Sequence, residues 1–204
     1  MTPPSKRLIL HIGFHKTGTS ALQEALYQNA ETLADVGLIY PKPLCKFQSH
    51  LDLPAALFPD ELPWVEESFG FDETFDHYAQ VVQDAPAGST IILSKEELFI
   101  IDQRRQLHEA IHQKLGSLPD TQTQILAYTR EPVAFLLSLF HHQIRVGAYD
   151  GTFHDFVNGH MNLNNARFDK RLAGWRDVFG AQNVLAPDYD QAQRNHGATG
   201  IVAD

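Results

Sequence analysis

The sequence predicts an α/β domain of three layers, a central parallel sheet with helices on both faces. Short apolar runs closed by Gly or Pro recur along the chain, and segments with apolar residues at three- and four-residue steps separate them. Strands that alternate with helices pair in parallel through right-handed crossovers. A length of 204 residues suits one domain with a sizeable apolar core.

The first strand is Leu8-Ile9-Leu10-His11-Ile12, mostly apolar and bounded by Gly13, as expected of a strand buried on both faces. After Gly18-Thr19-Ser20, residues Ala21, Leu22, Ala25, Leu26, Ala30 and Leu33 predict a helix that Gly37 ends. Leu38-Ile39-Tyr40 reads as a short strand. From Pro41 to about Asp76 periodicity fades, apart from a short helix expected over Phe75 to Val82, and irregular stretches this long are often functional. Thr90 to Ser94 is the next strand, followed by a helix carrying Leu107, Ala110, Ile111 and Leu115 on one face. Gln124 to Thr129 is a strand, and Pro132 opens a helix whose buried stripe is expected to be Val133, Leu136, Leu137, Phe140 and Ile144. Phe168, Leu172, Trp175 and Phe179 mark a last strong helix, and Asn183 to Ala186 a final strand. The domain is expected over residues 1–190, with residues 191–204 a frayed tail.

Hydrophobic residues make up 43% and charged residues 20%, which is ordinary for a globular protein. A net charge of −9 argues against a nucleic-acid or anionic-membrane surface, so an anionic ligand needs a local site. The single cysteine, Cys45, rules out an internal disulfide and fits a reducing compartment. The apolar run before Gly13 is too short for a signal-peptide core, and no stretch approaches the ~20 apolar residues of a membrane span. The expected location is cytoplasmic. Oligomeric state is not readable.

The strongest motif is Gly13-Phe14-His15-Lys16-Thr17-Gly18-Thr19-Ser20, between a buried strand and an amphipathic helix. Such a turn aims backbone N–H groups at one point by the positive end of a helix, a cradle for a phosphate-like anion. The glycine spacing is that of the P-loop, but Thr19 stands where its lysine should follow the second glycine. The lysine here is Lys16, inside the turn, where it can still meet a terminal charged oxygen. Arg130 follows a parallel strand, on the rim where open α/β sheets bind ligands, and its guanidinium can grip a phosphate. Ser138, on the next helix, adds a hydroxyl.

His15 to Ser20 resembles the 5′-phosphosulfate loop of the sulfotransferases that use 3′-phosphoadenosine 5′-phosphosulfate (PAPS). Tyr128-Thr129-Arg130-Glu131-Pro132-Val133, followed by Ser138, is similar to that family's 3′-phosphate segment. A weaker similarity runs from Phe168 to Val184. The resemblance implies a P-loop-like fold and sulfuryl transfer from PAPS, the donor substrate, to a hydroxyl or amine on a small-molecule or carbohydrate acceptor. It implies Lys16, Thr17, Gly18, Thr19 and Ser20 as holders of the phosphosulfate, and Arg130 with Ser138 as holders of the 3′-phosphate. No metal is expected. Relatives usually continue beyond the last core strand with helices that help close the site, whereas this sequence ends soon after it. The alternatives are a non-catalytic relative, which that short end favours, and a kinase-like P-loop nucleotide binder, against which Thr19 in the place of the lysine argues.

Deprotonating the acceptor calls for a general base. His50 and Glu96 are the candidates, His50 first, because the irregular stretch carrying it leaves from the same sheet edge as the loop. Phe47, Phe58, Trp64, Phe69 and Phe71 of that stretch are expected to pack a lid that excludes water. Lys95 on the same rim is a candidate contact for the sulfonate or an acidic acceptor. One competing motif is His108-Glu109-Ala110-Ile111-His112, which fits the helical zinc-protease spacing. The position of its third ligand is filled by Leu118, and the helix's apolar arc runs between Leu107 and Ile111, so packing is the better reading.

Overall fold

The computed structural model describes residues 5–101 and 104–196. Its strands are β1 (Lys6–Gly13), β2 (Leu38–Ile39), β3 (Thr90–Ser94), β4 (Thr121–Ala127) and β5 (Val184–Leu185). They form one sheet in the order β2-β3-β1-β4-β5, every pair parallel. The sequence thus meets the expected α/β architecture.

Alternation along β1 divides the core. Leu8, Leu10 and Ile12 point to one face with Ile91, Leu93 and Ile125, and there they are covered by α4 (Phe71–Asp84), α5 (Arg105–Ile111) and α9 (Phe168–Phe179). Phe75, Tyr78 and Val82 of α4 and Leu172 and Trp175 of α9 are at most 1% exposed, each burial worth about 1.5–3 kcal/mol. Ile9, Ile92 and Leu126 point to the other face, under α1 (Thr19–Gln28) and α10 (Tyr189–His196). Among the described residues, no helix is long and apolar enough to cross a membrane.

Several elements differ from expectation. The helix after Ser20 breaks at Asn29, whose side chain donates to the Ala25 carbonyl, and α2 (Ala30–Asp35) follows; short polar side chains compete in this way with helix bonds. The stretch after Pro41 holds α3 (Asp52–Leu57) and a single 3₁₀ turn, and buries Cys45, Leu51, Leu53, Phe58 and Leu62 in the main core. Phe69 and Phe71 pack against that core, while Phe47 and Trp64 are 51% and 61% exposed. The aromatic residues form no common lid.

In α6 (Pro132–Arg145) the buried pair is Phe135 and Leu136, whereas Val133 and Ile144 are 60% and 41% exposed. This helix starts beyond the sheet's rim and leans on α7 (Phe153–Asn158) through Phe140, Phe153 and Phe156, and on α9 through Phe135 and Phe168. A short α8 (His160–Asn165) precedes α9.

The chain is helical as far as His196, into the segment expected to be a tail. Tyr189 N–H donates to the Thr129 carbonyl (2.8 Å), Asp188 accepts from Gln191 N–H, and α10 runs on from there. Residues 197–204 of the expected tail lie outside the described residues. On α5 and the π turn after it, His108 packs edge-on against Trp175 and His112 against Phe179, while Glu109 pairs with Arg105. Among the described residues, no group of three His, Cys, Asp or Glu could hold a metal ion.

His50 is not placed to act as a base. It is 0% exposed, its Nε2 donates to the Pro41 carbonyl (3.1 Å) and its Nδ1 accepts from Ser94 N–H (3.1 Å). Its own N–H donates to the Ser94 carbonyl, so the residue extends the pairing of β3 where β2 has already ended. With both ring nitrogens committed, none is left to take a proton.

Burial lowers the pKa of His50 to about 3 and that of His11, at the end of β1, to about 4. Both stay neutral when folded, while the unfolded chain protonates them below the ordinary 6.5. Unfolding then takes up protons, so stability is full above pH 6.5 and falls as the pH drops toward 4 and 3. Each group contributes a slope of about 1.4 kcal/mol per pH unit within its window. Denaturant titrations between pH 8 and 5 should show this loss, and His50→Gln should remove about half of these two residues' share; a flat profile would contradict the assignment.

Candidate functional site

The chain turns from β1 into α1 through three positive φ angles, 117° at Gly13, 65° at Lys16 and 75° at Gly18. For Lys16 this left-handed region is sparsely populated, so the surrounding contacts must hold it there. The Thr17 hydroxyl supplies one such contact, donating to the Phe14 carbonyl (2.6 Å) with the residue 1% exposed. Thr17 therefore closes the loop from inside, and its side chain does not reach the cavity described below. Gly18 caps α1 with no side chain, which leaves the first N–H groups of the helix for an anion.

A cavity of about 660 Å³ opens at this turn. Lys16, Gly18, Thr19 and Ser20 line it from the loop, Glu96 from the end of β3, and Arg130 and Ser138 from beyond β4. Seven of the residues singled out in the sequence thus meet at one place. His50 does not line it, nor does any part of the stretch from Pro41 to Asp76.

Glu96 reaches the loop because Gly13 has no side chain: a Cβ there would stand 3.3 Å from the Glu96 Cβ. Burial favours the protonated acid at Glu96, but Lys95 (Nζ 3.6 Å away) and a hydrogen bond from Gln23 Nε2 (2.8 Å) outweigh it and hold the pKa below the ordinary 4.5. The carboxylate is therefore ionised at neutral pH. Lys95 also pairs with Glu97 at 3.0 Å, so its charge is taken up within this cluster. Burial, then Arg145, lowers the Lys16 pKa, against the opposing pull of Glu96.

Arg130 has three neighbours. Its Nε donates to both Asp190 oxygens (3.1 and 3.3 Å), its Nη1 to the Lys16 carbonyl (3.3 Å), and its guanidinium carbon lies 5.4 Å from the centre of the Tyr189 ring. Glu131 is turned elsewhere, accepting from Val133 and Ala134 N–H to cap α6.

Sequence reasoning missed four residues here. Tyr189 and Asp190 stand at the end of the expected domain, where the sequence announced no helix; Asp188, a capping residue after Pro187, was the available signal. His15 and His142 also line the cavity. Burial lowers the His15 pKa to about 4, and the His142 pKa is lowered by burial and by the nearby Lys16 and Arg145. Both histidines are thus neutral at pH 7, and the charge along the cavity comes from Lys16, Arg130 and Glu96.

No family model and no curated protein matches the sequence. A solved structure does match: that of a sulfotransferase from Alicyclobacillus acidocaldarius, with a TM-score of 0.52 at 18% identity, covering 96% of this chain and 76% of that one. The fold is sulfotransferase-like. In this sulfotransferase-like fold the turn after β1 lies against Glu96 on one side and Arg130 on the other.

The close approach at Gly13 gives a test. Gly13→Ala puts a side chain at a φ of 117° and against Glu96, at a cost of about 1–3 kcal/mol. Thermal unfolding should show a melting point lower by roughly 2–10 °C. An unchanged melting point would contradict the packing described.

Proposed function

We propose that the chain is a sulfotransferase that moves a sulfuryl group from PAPS to a hydroxyl or amine of a small-molecule or carbohydrate acceptor. One observation carries this reading: Lys16 with its loop, Arg130 with Ser138, and the ionised Glu96 border one cavity in a sulfotransferase-like fold. Two separate anion-holding groups suit a nucleotide with phosphate-like charge at both ends of its ribose. The resemblance of both motifs to the PAPS-binding segments supports the same choice.

In this mechanism the loop N–H groups, Lys16, Thr19 and Ser20 hold the 5′-phosphosulfate, and Arg130 and Ser138 hold the 3′-phosphate. The acceptor oxygen or nitrogen attacks sulfur as the bond from sulfur to the bridging phosphate oxygen breaks, and adenosine 3′,5′-bisphosphate leaves. Glu96 takes the proton that the acceptor gives up, with Gln23 fixing the direction of its carboxylate. Lys16 offsets the charge that grows on the leaving phosphate. Positioning and charge compensation carry the reaction, as they do in phosphoryl transfer. The lysine and arginine provide that compensation, so binding is expected without added metal.

Glu96→Gln should lower turnover by roughly 10²–10⁴-fold with little change in nucleotide affinity. Lys16→Ala should weaken nucleotide binding by about 1.5–3 kcal/mol. With Glu96 ionised well below neutrality, kcat/KM should stay level as the pH falls through about 6.5, where a histidine base would give an acid limb. Full turnover in Glu96→Gln, measured with a generic hydroxyl acceptor, would remove Glu96 from the role.

A further inference from the structure

We infer that α10 belongs to the binding site and that Asp190 is a positioning residue for Arg130, holding the guanidinium by its Nε edge so that its Nη groups face the second phosphate of a bisphosphorylated nucleotide. This rests on the nucleotide reading above.

The geometry divides the guanidinium into two edges. Of its five N–H bonds, the Nε one goes to Asp190 and one on Nη1 goes to the Lys16 carbonyl. The other three meet no acceptor among the described residues. Arg130 lines the cavity but Asp190 does not, so the carboxylate sits behind the guanidinium and leaves the ligand's space clear. Tyr189 closes another side, both lining the cavity and lying under the guanidinium carbon.

The backbone makes this support rigid. Thr129, next to Arg130, donates its N–H to the Pro187 carbonyl (2.9 Å) and accepts from Tyr189, next to Asp190 (2.8 Å). The two charged residues therefore rise from hydrogen-bonded neighbours. Both side chains are 22% exposed, shielded enough for the pair to persist. Holding a long side chain in place before the ligand arrives spares the entropy that ordering it on binding would cost. The Nη1 contact also ties Arg130 to the backbone of the loop, which fixes the distance between the two anion-holding groups. Asp190 should accordingly act on the preference for a nucleotide bearing a 3′-phosphate, and hardly at all on the 5′ side.

The test compares adenosine 3′,5′-bisphosphate with adenosine 5′-monophosphate by calorimetry on the parent, Asp190→Ala and Asp190→Asn. In Asp190→Ala the bisphosphate should bind about 3- to 10-fold more weakly, with the monophosphate unchanged within about twofold. Asp190→Asn keeps an oxygen acceptor for Nε and should retain the parent's preference. The Arg130 Nε–H resonance should be protected from exchange in the parent and in Asp190→Asn and lose that protection in Asp190→Ala. Should Asp190→Ala fail to fold, Asp190→Ser, with an acceptor too short to reach, makes the same comparison. Tighter bisphosphate binding in both variants would make Asp190 a competitor and overturn the proposal. Equal weakening of both nucleotides would reduce it to a structural residue and overturn it as well. A parent that does not prefer the bisphosphate would show that the nucleotide reading itself has failed.

Discussion

The backbone of one turn, from Gly13 to Ser20, is the constraint on which the rest of the site depends. Glu96 packs against the turn where Gly13 lacks a side chain, and Arg130 donates to its Lys16 carbonyl. The Thr17 hydroxyl ties it to itself, and α1 begins where it ends. The candidate base and the second cation are therefore referenced to the same few atoms that would hold the sulfate. In the proposed transfer, the mutual distances of these groups depend on this turn.

Beneath the turn runs a buried polar chain that fixes it to the sheet. His11 Nδ1 lies 2.7 Å from the Ser94 hydroxyl, and Gln23 Nε2 donates both to that hydroxyl (3.1 Å) and to Glu96 (2.8 Å). The chain joins β1, β3 and α1, and the backbone N–H of the same Ser94 is satisfied by His50. Polar groups this deep are costly unless paired, so these bonds restrict how the three elements can pack. His50 thus supports the site from below. That is a different task from the one its position in the sequence suggested, and it explains why the stretch around it packs inward.

What could be read in the sequence followed from local signals. Gly13, Lys16 and Gly18 announce a turn of special backbone angles between a strand and a helix, and the alternation of apolar runs fixes the parallel sheet. Arg130 and Glu96 could be placed on one rim because each lies just past a strand, and in a parallel sheet those ends share an edge. His50 shows the limit of that topological argument, since a chain that leaves from the right edge can still turn its side chain into the core. The outward faces of Val133 and Ile144 were misread for a related reason: periodicity shows that a helix has an apolar face and leaves open what covers it. The pair of Arg130 and Asp190 joins residues 60 apart through α10, a helix too polar to announce itself by pattern. Such a contact exists only once the sheet and the helix are both in place.

The proposed function requires the cavity to hold a nucleotide by two phosphate groups, without a metal. The most direct test is competition calorimetry of adenosine 3′,5′-bisphosphate against ADP in the presence of a chelator. The bisphosphate should bind with one-to-one stoichiometry and be favoured over ADP by at least roughly tenfold, the value of one charge-assisted phosphate contact. Equal affinity for ADP, or binding of the bisphosphate only after a divalent cation is added, would contradict the proposed function.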